Sequence, residues 1–545
     1  MVIQNRKNLG VSRTVLALII AVIVVVAAVA GYIALGPPAA APSPTPTTPT
    51  TQTTPTPTPA KRIVIGVTDK ITDLDPAQAY DFYTWEIMNN IMGGLVTYKP
   101  GTTEIMPNLA ESWNVSDDGK VWIFKLRKDL RFADGTPCTA DNVVWSIKRT
   151  MKINGDPAWL VTDFVQDVVA IDNYTVKFTL KNPVSYFLAL LATPPYFPIS
   201  PKYNPDNVDP DQTAGGVGPY RIAQWRRDEI LVLETNPYYT GPFKPRADQI
   251  IVRFYKDATT LRLAIESGEI DIAWRTLRPI DIGTLKQNPN LKVIEVPGAF
   301  IRYIIVNVNV SPTNNKLVRQ AIAAAIDRKE IATTVFMGTV EPLYSMVPMG
   351  MWSHEDVFKK YGDGNIDLAK RLLSQAGYSE TNKLKIELWY TPTHYGDTEK
   401  DIAALIKQQL EKTGMIEVTI RSAEWSTYLD YTRKGSLMLS LYGWYPDYID
   451  PDDYLTPFIR TGSNKWTGSG YSNPDVDKLL DQASILTDIA QRADLYRKVQ
   501  TIMADDVPMI PLFQGKLFIV AKKNVEGIVL DPTMLFRYYL LYLSG

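Results

Sequence analysis

Residues Asp248 to Trp274 read DQIIVRFYKDATTLRLAIESGEIDIAW, and the three parts of this stretch set the fold class. DQIIVRFY is dense in β-branched and aromatic residues and reads as a strand. TTLRLAIESG has helical character and stops at Gly268, the residue type that most readily closes a helix in the left-handed conformation. EIDIAW returns as a second strand. Strand, helix and strand in so short a span is the pattern of a parallel crossover, and so of an α/β protein.

The same grammar extends in both directions. Upstream, RIVIGV reads as an entering strand. VWIFKLRKDLRF alternates like a half-exposed strand, turns at ADGTP, and gives way to a helix in TADNVVWSIKR with Thr139 as its N-cap. Downstream, after IRYIIVNVN, the residues Val318, Ala321, Ile322, Ala325 and Ile326 follow the spacing of a helix with one core-facing stripe. LKIELWYTP, TEKDIAALIKQQLEKTG and MIEVTIRSAEW repeat strand, helix and strand, which makes a second α/β unit. NPDVDKLLDQASIL starts a helix at Pro474 behind a capping Asn473, and MIPLFQGKLFIVAKK returns as strand near the C-terminus. A chain of 545 residues exceeds one ordinary core, so two or more lobes are expected.

The first sixty residues have a different character. Arg6, Lys7 and Arg13 precede an uncharged apolar run from Val15 to Leu35, long enough, at roughly 20 residues, to cross a bilayer. The basic flank keeps the N-terminus cytoplasmic and sends the body outside. Retention as an anchor is favoured over cleavage as a signal peptide, because no small-residue cleavage site leads directly into folded sequence. Residues 37–60 are almost only Pro, Thr, Ala and Ser, a semi-rigid extended stalk of up to roughly 70 Å.

Composition narrows function. With 57 basic and 58 acidic residues and no long basic run, nucleic acid is not a partner. The single cysteine, Cys138, excludes an intramolecular disulfide, and with only His354 and His394 there is no zinc-site spacing. Nucleophile-elbow and metalloprotease signatures are absent, as is a phosphate-binding GxxxxGK[ST] loop. No cofactor or metal is expected.

One loop stands apart: GWYPDYIDPDDYL, Gly443 to Leu455. Its acids lack the glycine and distal glutamate of a calcium loop, and acids adjacent in one loop do not make a catalytic pair facing across a cleft. Capping accounts for three of them: Asp450 as N-cap, Pro451 in the first turn, Asp452 and Asp453 at the positive end of a helix. Asp447 is left over. Flanked by Trp444, Tyr445 and Tyr448, it is either a solvated loop acid or a carboxylate facing an apolar cavity that needs a cation. Trp389, Tyr390 and Trp425 are candidates to line the same cleft, the alternative being that they are core.

Several blocks resemble a known family. PNLAESWNVSDDGKVWIFKLRKDLRFADGTPCTADNVVWSIKR (Pro107 to Arg149), LDPAQAYDFYTWEIMNNIMGGLV from Leu74, GVGPYRI from Gly216, VRQAIAAAIDRKEI from Val318, GWYPDYIDP from Gly443 and DDVPMIPLFQ from Asp505 are similar to the extracytoplasmic solute-binding proteins of peptide-type ABC importers, family 5. The likeness covers residues 61–545. It implies a two-lobed, type II periplasmic-binding-protein fold with an extra subdomain in the first lobe. Residues 61–300 would form lobe I, with the subdomain near 105–217; residues 301–509 would form lobe II; and 510–545 would return to lobe I. It implies no enzyme, but a monomeric binding body that passes peptides to a membrane permease whose ATPase is a separate chain. By resemblance Asp447 grips the α-ammonium of a bound peptide. Dipeptide binders place an arginine after the strand equivalent to LWYTP; this chain has THYGD, leaving His394, Lys400 and Arg302 as candidates for the peptide carboxylate. An oligosaccharide or a nickel chelate is the alternative solute within the family, and a surface-anchored hydrolase the alternative outside it. The basic N-terminus, apolar run and Thr/Pro stalk look like those of archaeal membrane-anchored binding proteins.

Overall fold

The chain enters the fold through strand β1 (Arg62–Val67) and then helix α1 (Phe82–Ile91), whose N-cap Asp81 accepts the Thr84 amide at 2.9 Å. The computed structural model describes residues 61–392, 394–396, 398–530 and 533–544. The apolar run from Val15 to Leu35 and the stalk 37–60 lie outside them. Among the described residues no helix is long and apolar enough to cross a membrane.

A four-stranded antiparallel sheet forms the extra subdomain, in the order Ala110–Val115, Val121–Leu126, Thr175–Leu180, Val165–Asp172. The helix Ala140–Ile153 begins where Thr139 places it, and Asn142 reaches back to accept the Thr139 amide at 2.9 Å.

The decisive stretch folds as its pattern dictates. Strand β2 (Gln249–Phe254), helix α2 (Ala258–Glu266) and strand β3 (Ile272–Trp274) make a crossover in which β1 lies between β2 and β3, parallel to both. Gly268, at φ +75°, takes the left-handed turn just beyond α2, where a side chain would be strained.

Strand β4 (Leu291–Val306) leads to α3 (Lys316–Ala325), whose predicted stripe is wholly buried. Then come β5 (Leu384–Tyr390), α4 (Glu399–Glu411), β6 (Ile416–Ser422), α5 (Trp425–Arg433) and β7 (Leu439–Trp444). Helix α6 (Pro474–Ile485) starts at Asn473, whose side chain accepts the Asp475 amide. Strand β8 (Met509–Lys522) closes the main sheet.

That sheet runs β6-β5-β7-β4-β8-β3-β1-β2 and continues into an antiparallel pair, Ile230–Thr235 and Tyr220–Arg226. Its two long central strands, β4 and β8, are antiparallel, and their register breaks between Pro297 and Ile301. The apolar core divides there. Two large clusters meet there, one drawing on residues 63–299 with 517–541 and the other on residues 301–513, so each long strand feeds both; a third, small cluster packs α2 against Leu291 of β4 and Val520 of β8. Tyr448 is the exception: from the loop after β7 it is buried in the first cluster, with Tyr445 and Ile449 packed against it.

Candidate ligand-binding site

The loop after β7 sits where the two cores meet, and its acids fix its shape. Asp450 caps the 3-10 turn Pro451–Tyr454 by accepting the Asp452 amide at 3.0 Å, while both amino groups of Arg492 grip its carboxylate at 2.7 and 2.9 Å. Capping was legible for Asp450. Asp452 and Asp453 lie in the first turn, as expected, and both are buried. Asp452 accepts hydroxyls of Tyr448 at 3.0 Å and Thr456 at 2.8 Å. Asp453 Oδ2 accepts the Trp444 indole and the Asp447 amide, each at 3.1 Å, and its Oδ1 is buried without a hydrogen-bond partner.

Asp447 is half-buried, and Tyr80, in the loop ahead of α1, donates its hydroxyl to Oδ2 at 2.7 Å. Burial pushes the Asp447 carboxyl up to about 7, against the lowering effect of that hydroxyl. Asp453 is raised too, by burial first and then by the charge of Asp447. No basic side chain pairs with either acid among the described residues. Two neighbouring carboxyls that resist ionisation and lack a cation make a place where a cation would be favoured.

Asp447 also borders a cavity of about 30 Å³, with Phe82, Trp85, Tyr98, Pro446 and Thr533 among its walls. A water needs on the order of 10–15 Å³, and a ligand pocket roughly 300 Å³ or more. The cavity beside Asp447 is thus too small, as it stands, to hold a solute. Aromatic rings close the rest: Tyr445 lies 5.3 Å from Phe82 and 5.2 Å from Phe300, and Tyr448 stacks on Tyr186 at 5.1 Å.

The other predicted residues form a separate group. His394 stacks on Trp425 at 3.6 Å, nearly parallel, beyond the end of β5. Desolvation there, and then the charge of Arg302, lower the His394 pKa to about 4. Trp389 donates to Glu387 at 3.1 Å and meets the edge of Tyr431; Tyr390 packs on the second core. None of Trp389, Tyr390, His394 and Trp425 borders the Asp447 cavity. Trp444 reaches it only through Asp453. Of the carboxylate candidates, Arg302 is buried, ion-paired with Glu399 and 3.8 Å from the Tyr395 ring, while Lys400 is exposed. Among the described residues no cluster of three or more His, Cys, Asp or Glu could hold a metal.

Tyr80, Phe82, Trp85 and the exposed need of Asp453 were missed in the sequence. The signal was the aromatic density of AYDFYTWE around Asp81, inconspicuous because α1 buries most of it.

Comparison with known proteins fits this geometry. Residues 104–466 match the family described as bacterial extracellular solute-binding proteins, family 5 Middle. The chain is 31% identical over 487 residues to the probable D,D-dipeptide-binding periplasmic protein DdpA of Escherichia coli K12, covering 87% of this chain and 92% of that one. Its fold matches DppA of Helicobacter pylori, solved with the peptide STSA, at a TM-score of 0.78 and 28% identity, over 89% of this chain and 98% of that one. The dipeptide-binding protein of Pseudoalteromonas sp. SM9913, solved with Met-Leu, superposes equally well, at a TM-score of 0.78, with 26% identity over 89% of this chain and all of that one. This chain belongs to the family-5 extracellular solute-binding proteins and has their two-lobed, type II fold.

Proposed function

We propose that the chain is the substrate-binding component of an ABC importer for short peptides, held outside the cell by its own N-terminus. The observation that carries the peptide reading is the Asp447–Asp453 pair: two carboxyls at the junction of the lobes, held by neutral donors, with a cation missing. A peptide α-ammonium supplies that cation. Relatives named as dipeptide binders give independent support. Binding involves no chemistry. The lobes close over the peptide, excluding water, and the free energy for closure comes from the ligand's better fit to the closed form. Lobe I comprises residues 61–300 and 510–545 and lobe II residues 301–509, a division supported by the two cores. A monomeric body then presents the closed form to a permease with separate ATPase subunits. Residues 1–36 act as the membrane anchor and 37–60 as the stalk, the arrangement of archaeal anchored binders; the support is the apolar run and the Thr/Pro composition.

Titration calorimetry with dipeptides tests the reading. The Asp447→Asn variant keeps a partner for Tyr80 but removes the charge, and is expected to bind dipeptide about 2–5 kcal/mol more weakly. Unchanged affinity would refute the ammonium role. Binding of cellobiose in place of dipeptide would move the solute class to oligosaccharide.

A further inference from the structure

Arg275 is held in an unusual way. It leaves the end of β3 at φ +62°, and Thr276 follows at φ +53°, two successive left-handed residues of which neither is glycine. Such backbone is strained and persists only where its surroundings impose it. Here the Thr276 hydroxyl is hydrogen-bonded to Thr68, and Asp69 sits 2.9 Å from Arg275 Nε. The guanidinium is thereby aimed across the junction of the lobes. Its centre lies 4.6 Å from the Phe82 ring, in lobe I, and 5.4 Å from the Tyr445 ring, on the loop that carries Asp447.

Only the Nε edge is engaged. Among the described residues neither Nη amino group of Arg275 has a hydrogen-bond partner, although the side chain is 14% exposed. The other acids whose charge reaches it are committed elsewhere: Asp81 accepts from Thr72 and Thr84, and Glu86 accepts from Trp274 and Tyr538. A planar fork with one edge anchored, two rings against it and its outer donors open is built to take a carboxylate in two-pronged fashion. Arg302 also has Nη atoms without a hydrogen-bond partner, but they are fully buried, and its charge is already paired with Glu399 and set over the Tyr395 ring.

We infer that Arg275, on lobe I, is the specificity residue that receives the carboxylate of the bound peptide, its guanidinium against the Phe82 and Tyr445 rings and Phe82 in turn bordering the Asp447 cavity. The inference rests on the peptide reading and sharpens it: the solute is a zwitterion with both ends free, and closure brings a lobe I cation and a lobe II anion to opposite ends of it.

The test compares each ligand with its own amide. Methionyl-leucine and D-alanyl-D-alanine, and the C-terminal amide of each, are titrated into wild type, Arg275→Gln and Arg275→Lys. Wild type is expected to bind a free dipeptide roughly 10- to 100-fold more tightly than its amide. Arg275→Gln should lose that preference while binding the amide as wild type does, and Arg275→Lys should recover part of it. Equal loss for acid and amide in Arg275→Gln would make the residue merely structural and overturn the inference. So would a wild type indifferent to amidation, with the peptide reading left intact. A wild type that binds neither dipeptides nor amides would end both.

Discussion

At the scale of the residue, the proposed role of Asp447 would make ligand binding a proton-linked event. Its carboxyl is pushed up to about 7 by burial. An ammonium beside it would favour the charged state and lower that value, so the ligand and a proton compete for the same group. The sign follows directly. Below pH 7 binding must first expel the proton, and affinity rises as pH climbs from 5 to 7. It levels off above 7, until the peptide amine itself loses its proton near roughly pH 8. Calorimetry in buffers of different ionisation heat should detect proton release at pH 6 and little at pH 7.5. A flat affinity between pH 5 and 7 would show that Asp447 does not meet the ligand's charge. Tyr80 enters the same balance, because its hydroxyl is what holds Asp447 below the value burial alone would set. That capping leaves Asp447 over was legible in the sequence, since it claims Asp450 by rule; its bond to Tyr80 was not. The involvement of Asp453 was not, because whether a helix-end acid points to solvent or into a protein is decided by what packs over it, here Trp444 and the amide of Asp447.

At the scale of the element, the two long strands β4 and β8 are the only segments of the main sheet that serve both cores, and their irregularity is placed where those cores meet. The ladder skips from Pro297 to Ile301, and Phe300, freed from the ladder, lays its ring over Gly515 in β8 and against Tyr445. A Cβ at Gly515 would fall inside the Phe300 ring. Gly515→Ala must therefore displace that ring from Tyr445, and the expected cost is about 1–3 kcal/mol of stability, with a weaker ligand affinity because Tyr445 sits two residues from Asp447. Denaturant unfolding and dipeptide titration of the variant check both parts; wild-type values in each would mean that Phe300 has room the geometry does not show. Strands and helices themselves were readable from local period: the stripe from Val318 to Ile326 is buried as written, and Thr139 and Asn473 start their helices. The bulge was not readable. A glycine in a strand marks a close approach, but which ring approaches is a long-range fact, here one of residues 300 and 515. The same limit separated the aromatic candidates. Trp389, Trp425 and His394 share a strand end with one another, and nothing in their spacing told whether that end faces Asp447 or lies apart from it, as it does.

At the scale of the whole molecule, one buried acid joins parts of the chain that are farthest apart in sequence. Glu86 on α1 accepts the Trp274 indole from β3 at 3.0 Å and the Tyr538 hydroxyl at 2.6 Å, while the Phe536 amide lies 3.4 Å away. Glu86, with Asn90 beside it, thus fastens the C-terminal segment to the first core, where Met534, Phe536, Tyr538 and Leu541 are buried. Burial, the largest influence on it, raises that carboxyl from 4.5 to about 7. A group raised in the folded state gives its full stabilisation below the unfolded value, here about pH 4.5, and that contribution is lost as pH rises through 7. The loss amounts to roughly 3 kcal/mol. Asp447 and Asp450, raised to about 7 and about 6, act in the same direction. The ligand-free protein should therefore be more stable at pH 5 than at pH 8, and the urea midpoint should fall across that range. Glu86→Gln removes one titration while keeping the side chain's size, so its midpoint should fall distinctly less between pH 5 and 8. A fall as steep as that of wild type would mean that Glu86 ionises alike in the folded and unfolded chain, and would move the linkage to the acids of the Asp447 loop. On the proposed reading dipeptide would draw Asp447 back to its charged form, so saturating ligand should also flatten the curve, by an amount that adds to the Glu86→Gln effect if the two carboxyls titrate independently.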